Sequence, residues 1–274
     1  MSYRSREKKR KRLDLLAGVL LALFGIVVLI APAGSAWWLQ SKHVEIDEAT
    51  LCPKDGPRAV YVLLFDQTDP ITEQQGEQIK QYVNRLSDSA ITGQRFDLYT
   101  VDGDTQRLLM PVLQICSPGN GKNANPIYEN PEMIERIFKT RFKDVLQRTV
   151  DQLLEASSKP YSPIIESMKA AAIESFGPFQ QTKIPLGLTV ILDMVQNTPL
   201  NNHFRALPNF KELGRSSSWR SLQPDLRAAN VEILYLLRPT AVRGAVPIQN
   251  RGHQSFWEDL IRASNGYIVS IQPI

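Results

Sequence analysis

The sequence predicts an α/β domain built on a mostly parallel sheet. Two apolar runs, 60–65 and 188–191, are rich in β-branched and aromatic residues and lead into Asp66 and Asp193. Continuous apolar runs of this length, bounded by polar residues, are typical of parallel strands buried on both faces. Helix-periodic segments separate the strand-like runs, which is the order found in α/β proteins. Each strand therefore brings an aspartate to its carboxyl end, the edge at which open α/β sheets bind ligands.

The other elements follow from periodicity, caps and turn residues. A helix at 73–87 is predicted to be capped by Thr72. Gly103 and Asp104 indicate the turn of a hairpin, and the Gly, Asn and Pro residues of 117–131 indicate a loop. The predicted strands are 60–65, 95–101, 108–115, 187–192, 231–237 and 267–271, and the predicted helices are 73–87, 132–157, 163–176 and one that includes 255–263.

Residues from three distant stretches resemble the metal-ion-dependent adhesion site of von Willebrand factor A domains. That family has Asp-x-Ser-x-Ser in the first strand–helix turn, a Thr in a middle loop and an Asp after the fourth strand. Here Asp66 and Thr68 match the first Asp and Ser, Ser162 matches the Thr, and Asp193 matches the last Asp. The departure is Pro70, which takes the position of the second Ser and supplies no side-chain oxygen.

The resemblance covers about residues 58–274 and implies a Rossmann-like, von Willebrand A-type sheet. Such a sheet is mostly parallel, has one antiparallel edge strand and is flanked by helices. The resemblance also implies an oxygen-rich site suited to Mg²⁺ or Ca²⁺. Because of Pro70 we expect a degenerate site, with no cofactor or a weakly bound divalent cation; alternatively, its residues only cap helices and brace loops. The possible ligands are Asp66, Thr68, Ser162 and Asp193.

The same topology suggests a disulfide. Cys52 precedes the first strand, and Cys116 ends the third predicted strand. If the third strand is antiparallel, both cysteines lie at the edge of the sheet opposite the adhesion site. An oxidising periplasm would permit a bond between them; the alternative is two unpaired thiols, one of them buried.

The N-terminal sequence indicates a membrane anchor. Residues 1–14 carry seven Lys and Arg against Glu7 and Asp14, so this basic tail accounts for the net charge of +4 of the whole chain. The apolar segment 15–39 is about long enough for a ~30 Å hydrocarbon core, and basic residues before a span favour a cytoplasmic N-terminus. A cleaved signal peptide is the alternative, although the apolar core of a signal peptide is usually ~7–15 residues long. We therefore predict a tail at 1–14, a single-pass signal anchor at 15–39 and a linker at 40–57 before a periplasmic domain at 58–274.

The expected partners are the bilayer, through 15–39, and one or more proteins of the cell envelope. A basic tail beside a span is a topology signal and a contact for anionic lipid, so no nucleic-acid partner is expected. Two long loops, 197–218 and 238–254, follow predicted strands at the ligand-binding edge, where binding residues tend to lie. The candidate partner-binding residues are Asp69, Asn201, Arg205, Arg238 and Arg243.

The functional prediction is a protein-recognition module of a bacterial inner-membrane complex rather than an enzyme. One alternative is a membrane-tethered periplasmic enzyme that uses Asp66, Asp69 and Asp193 as acid, base or metal-supporting groups. A second is a structural subunit that acts through its span. His43, His203 and His253 have no metal-ligand spacing, and each is interpreted as hydrogen-bonded or solvated.

Overall fold

The computed structural model describes residues 15–16, 18–21, 23–26, 28, 45–66, 68, 70–101, 110–122, 124, 130–155, 161–199, 201–206, 209–238 and 248–274. Its contacts divide the chain into two compact units, Met1–Glu45 and Ile46–Ile274. The predicted basic tail lies outside the described residues, as does much of the predicted span at 15–39. The described residues between 15 and 28 are helical. No helix in the described ranges is both long and apolar enough to cross a membrane.

The second unit contains a six-stranded sheet in the order β3-β2-β1-β4-β5-β6. Every neighbouring pair is parallel except β2 and β3, which are antiparallel. This confirms the predicted mostly parallel sheet with an antiparallel third strand at its edge. The strands are β1 (Ala59–Phe65), β2 (Gln94–Thr100), β3 (Leu113–Cys116), β4 (Leu186–Leu192), β5 (Asn230–Tyr235) and β6 (Tyr267–Pro273).

Helices cover both faces of this sheet. The first helix begins after Thr72 in a capping box. The Thr72 hydroxyl accepts a hydrogen bond from the backbone N–H of Gln75, and the Gln75 side chain accepts one from the backbone N–H of Thr72. The helices are α1 (Glu73–Asp88), α2 (Pro131–Ile137), α3 (Asp144–Leu153), α4 (Ile164–Ala171), α5 (Phe210–Arg215), α6 (Trp219–Leu222) and α7 (Arg251–Ala263), with π-helical turns at Phe138–Lys143 and Ala172–Phe176 and a 3-10 turn at Gly177–Phe179.

Two element predictions need correction. The helix predicted at 132–157 is interrupted by the π-helical turn Phe138–Lys143 and ends at Leu153, whereas the last helix, α7, contains 255–263 as predicted. The short helix α5 lies within a segment that was predicted to be a loop, 197–218. The π-helical turn buries Phe138 and Phe142, whose ring centroids are 5.4 Å apart.

The core has one layer on each face of the sheet. Along β1, Val60, Val62 and Leu64 pack with residues of α4 and α7. Leu63 and Phe65 point to the other face and pack with residues of α1 and α3. Burial on both faces accounts for the continuous apolar sequence of the central strands.

The segment before β1 packs as part of the sheet unit. Leu51 is 2% exposed, and the backbone N–H of Cys116 donates to Thr50 O at 2.8 Å. Part of the predicted linker, from Ile46 onward, therefore belongs to the folded domain. The predicted disulfide between Cys52 and Cys116 is present and closes a segment with a sequence separation of 64.

Replacing both cysteines by serine should lower the Tm by roughly 5–15 °C. A bridge across a loop of this length contributes about 2–4 kcal/mol by restricting the unfolded chain, and 1 kcal/mol corresponds to about 2–4 °C in a domain of this size. Calorimetry with and without dithiothreitol measures the effect. The reductant should leave the double serine variant unchanged, and labelling of two free thiols in exported wild-type protein would contradict the bridge.

Candidate functional site

Two buried aspartates lie at the carboxyl edge of the sheet. Asp66 directly follows β1 and Asp193 directly follows β4, and the two strands are parallel neighbours. The backbone N–H of Asp66 donates to Ile191 O at 3.3 Å, which extends the strand pairing to the aspartate. Asp66 is 3% exposed and Asp193 4%. Strand register therefore concentrates two carboxyl groups in one buried region, where each needs hydrogen-bond donors or positive charge.

Asp66 binds two of the residues predicted to share its site. Its Oδ1 accepts from the backbone N–H of Thr68 at 2.8 Å, in the short turn that links β1 to α1. Its Oδ2 accepts from the Ser162 hydroxyl at 2.7 Å, across a sequence separation of 96 residues. The structure thus brings Asp66, Thr68 and Ser162 together, and their contacts brace the two loops.

Asp193 faces an arginine. Its Oδ1 accepts from the backbone N–H of Val195 at 2.8 Å, and its Oδ2 lies 3.4 Å from Arg238 Nε. The same guanidinium donates through Nη1 to the carbonyl oxygen of Pro70. Arg238 was predicted to bind a partner; here its side chain is 22% exposed and joins the loop after β1 to the end of β4.

Gln249 holds the backbone on both sides of this ion pair. Its Nε2 donates to the carbonyl oxygens of Asp193 at 2.9 Å and Leu236 at 2.7 Å. Its Oε1 accepts from the backbone N–H of Arg238 at 2.7 Å. One amide side chain therefore fixes the segment after β4 against the segment after β5, and it satisfies three backbone groups that would otherwise lack partners.

Two aromatic residues on the loops around this site are exposed. Ser162 pairs with Asn197, and Asn197 pairs with Asn202, so that three loop segments lie side by side. Tyr161, just before the first of these, is 45% exposed, and Phe204, just after the last, is 60% exposed. We call Tyr161, Phe204 and the adjacent exposed Arg205 the aromatic patch.

The structure describes one of the three remaining predicted partner-binding residues. Asn201 is partly buried, and its carbonyl oxygen accepts from the backbone N–H of Thr198 at 2.9 Å. Asp69 and Arg243 lie outside the described residues.

A buried chain of hydrogen bonds connects Tyr235, His253 and His203 next to the site. The Tyr235 hydroxyl contacts His253 Nδ1, and His253 Nε2 lies 3.0 Å from His203 Nδ1. The backbone N–H of Gln196 also points to His203 Nδ1, at 3.3 Å. Since a backbone N–H can only donate, His203 Nδ1 is an acceptor, His253 donates through Nε2–H, and Tyr235 donates to His253 Nδ1. Both imidazoles are neutral, and the proton of His203 lies on Nε2.

The environment keeps this chain neutral. Burial, together with the neighbouring His253, lowers the pKa of His203 from 6.5 to about 3. Burial lowers the pKa of His253 to about 4. Burial also raises the pKa of Tyr235, and the negative charge of Asp193 raises it further, so the phenol remains a donor. His203 Nε2 is buried and makes no hydrogen bond within the described structure; its ring packs edge-on to Phe256 at 5.1 Å between centroids.

Sequence reasoning did not identify the histidine pair or Gln249. The sequence placed His203 in a polar loop, but it is 2% exposed, and His253 is fully buried. Both histidines are hydrogen-bonded rather than solvated, which is one of the two states that the sequence predicted for each. A sequence separation of 50 residues gave no signal that they meet.

Metal-binding groups are sparse in this region. Across the residues that the structure describes, no group of three or more His, Cys, Asp or Glu residues is placed to hold a metal ion. The positive charge beside Asp193 comes from Arg238.

No protein-family model matches the chain, and no curated protein matches it. Among solved structures, one that matches is an aerotolerance-related membrane protein from Bacteroides fragilis NCTC 9343, crystallised with multiple mutations to serine. It is 15% identical, with 79% of this chain and 90% of that chain covered, at a TM-score of 0.36. These values are too low to carry an argument about fold or function.

The buried histidines should make the domain less stable in mild acid. Because their folded pKa values lie below 6.5, the unfolded chain binds more protons as the pH falls from about 6.5 towards 4. Each histidine then removes up to about 2 kcal/mol of stability at pH 5, and none above pH 7.

Tm measurements at pH 7.5 and pH 5.0 test this effect. The variant with His203→Asn and His253→Gln keeps polar groups at both positions but does not titrate there. It should lose fewer degrees than the wild type between the two pH values. Equal losses would show that other groups dominate the acid response.

Proposed function

We propose that this protein is a membrane-anchored, non-catalytic recognition module that binds a protein of the cell envelope through the carboxyl edge of its sheet. The aromatic patch is the observation that carries the proposal. Tyr161 and Phe204 are 45% and 60% exposed on loop segments that are joined by backbone pairing through Asn197, and the exposed Arg205 follows Phe204 in the chain. Tyr, Phe and Arg are enriched at protein interfaces, and Tyr and Arg are among the residues that most often dominate binding energy.

The state of the carboxylates supports recognition over catalysis. A general acid or base must come within hydrogen-bond reach of its substrate. Asp66 and Asp193 are 3% and 4% exposed, and their oxygens are engaged by backbone N–H groups, the Ser162 hydroxyl and Arg238. This arrangement suits two carboxylates that hold loops in place.

Sequence and covalent structure support a location in the envelope. The apolar segment 15–39 follows a basic tail, which favours a single-pass anchor with a cytoplasmic N-terminus. The disulfide between Cys52 and Cys116 fits a domain exported to an oxidising compartment such as the bacterial periplasm. The membrane anchor and the inner-membrane location are parts of the proposal.

Site-specific photo-crosslinking in intact cells tests the recognition surface. A photoreactive amino acid at Phe204 should give one discrete adduct with an envelope protein, because this side chain projects from the aromatic patch. The matched control is Ile173, which is also highly exposed, at 61%, but lies in the π-helical turn after α4. No adduct at Phe204, or the same adduct at both positions, would count against this surface.

Substitution provides the complementary measurement. Changing Tyr161 and Phe204 to serine should abolish stoichiometric co-purification of the crosslinked partner and leave the Tm within about 2 °C of the wild type, because both side chains are exposed. Ile173→Ser should leave the partner bound. Undiminished co-purification by the double variant would favour contact through the membrane-spanning segment.

A further inference from the structure

The cation implied by the resemblance does not fit the residues of this site. A divalent ion would need oxygen ligands from Asp66, Ser162 and Asp193 with no positive group among them. Arg238 instead places a guanidinium 3.4 Å from the Asp193 carboxylate. A second cation beside that guanidinium would be repelled by it.

We propose that the guanidinium of Arg238 takes the place of the divalent cation, so that this site is an internal ion pair that works without metal. This inference does not depend on the proposed function: it holds whether or not the aromatic patch binds a protein. It explains how a site with only part of the oxygen set can remain folded around two buried carboxyl groups.

The contacts of Arg238 are those of a bridging group. Its Nε faces Asp193, after β4, while its Nη1 donates to the carbonyl oxygen of Pro70, after β1. A planar guanidinium has five N–H donors in a fixed geometry and can therefore join acceptors on different segments. Arg238 thus links the two loops whose aspartates a shared ion would otherwise hold together.

The position of Arg238 is fixed by the backbone. Its N–H donates to Gln249 Oε1 at 2.7 Å, and Nε2 of the same amide donates to Asp193 O at 2.9 Å. The amide therefore holds the main chain of both members of the ion pair. The ion pair is therefore a fixed part of the fold, because the main chain of both of its members is held by the same amide side chain.

Pro70 and Arg238 both differ from the adhesion-site pattern, and the two differences are linked by a hydrogen bond. Proline at position 70 removes the side-chain oxygen of the second Ser but keeps a carbonyl acceptor, and Arg238 uses that acceptor. The hydroxyl of Ser162 donates its proton to Asp66 at 2.7 Å, so it serves the carboxylate directly. All four carboxylate oxygens of Asp66 and Asp193 thus have a donor supplied by the protein.

Thermal unfolding of the full chain tests the absence of a metal requirement. The wild-type Tm should agree within about 1 °C in 5 mM MgCl₂, in 5 mM CaCl₂ and in EDTA. A ligand that binds only the folded state must raise the Tm. A rise of several degrees with either metal, or a fall of several degrees in EDTA, would overturn the proposal.

A double-mutant cycle tests the ion pair. Arg238→Met removes the charge and keeps the length of the side chain, so it should lower the Tm by roughly 5 °C or more by leaving Asp193 without a counter-charge. Adding Asp193→Asn should recover part of that loss because no uncompensated charge remains. Arg205→Met, on the exposed patch, is the matched control and should shift the Tm by less than about 2 °C.

The contrary outcomes are equally clear. If Arg238→Met is no more harmful than Arg205→Met, or if Asp193→Asn adds a further full loss to it, the two residues are not coupled. Should Arg238→Met fail to fold, Arg238→Lys decides instead. Arg238→Lys keeps the positive charge. Its Tm should be closer to that of the wild type than the Tm of the double variant that combines Arg238→Lys with Asp193→Asn.

Discussion

The structure at the carboxyl edge depends on one constraint, which is the need to compensate two buried carboxyl groups that strand register brings to the same place. Asp66 and Asp193 follow adjacent parallel strands, so neither can move away from the other without breaking the sheet. Burial of an unpaired carboxylate costs several kcal/mol, more than most single contacts contribute. Ser162 and Arg238 lie where they do because this cost has to be met.

The hydrogen bonds that stabilise the buried carboxylates also hold the surrounding loops together. Ser162 reaches Asp66 from the segment before α4 and pairs through its backbone with Asn197. Gln196, next to that residue, binds both the N-terminus of α4 and the side chain of Glu166, while its backbone N–H reaches His203. The polar centre is therefore connected to the histidine pair through a short stretch of backbone. A charge introduced on either histidine would act on the loop that carries the exposed Phe204.

The sequence predicted those features that depend on local pattern and on topology. The runs before Asp66 and Asp193 predicted two central strands, and an antiparallel third strand predicted the pairing of Cys52 with Cys116. The ion pair between Asp193 and Arg238 could not be predicted, because it depends on where a long loop places one flexible side chain. The pairing of His203 with His253 depends in the same way on the folding of a segment without regular periodicity.

The residues of the buried polar centre are different from the exposed residues, so substitutions in the two groups affect different properties of the domain. The carboxylates, Arg238 and Gln249 form contacts that are nearly all internal, so substitution there alters stability first. Tyr161 and Phe204 are 45% and 60% exposed, so their loss costs the fold less. If recognition depends on Tyr161 and Phe204, substitutions there can change binding specificity while the carboxylates, Arg238 and Gln249 hold the loops in one geometry. In that case the rigid centre limits the conformational entropy lost on binding, which raises affinity without adding a contact.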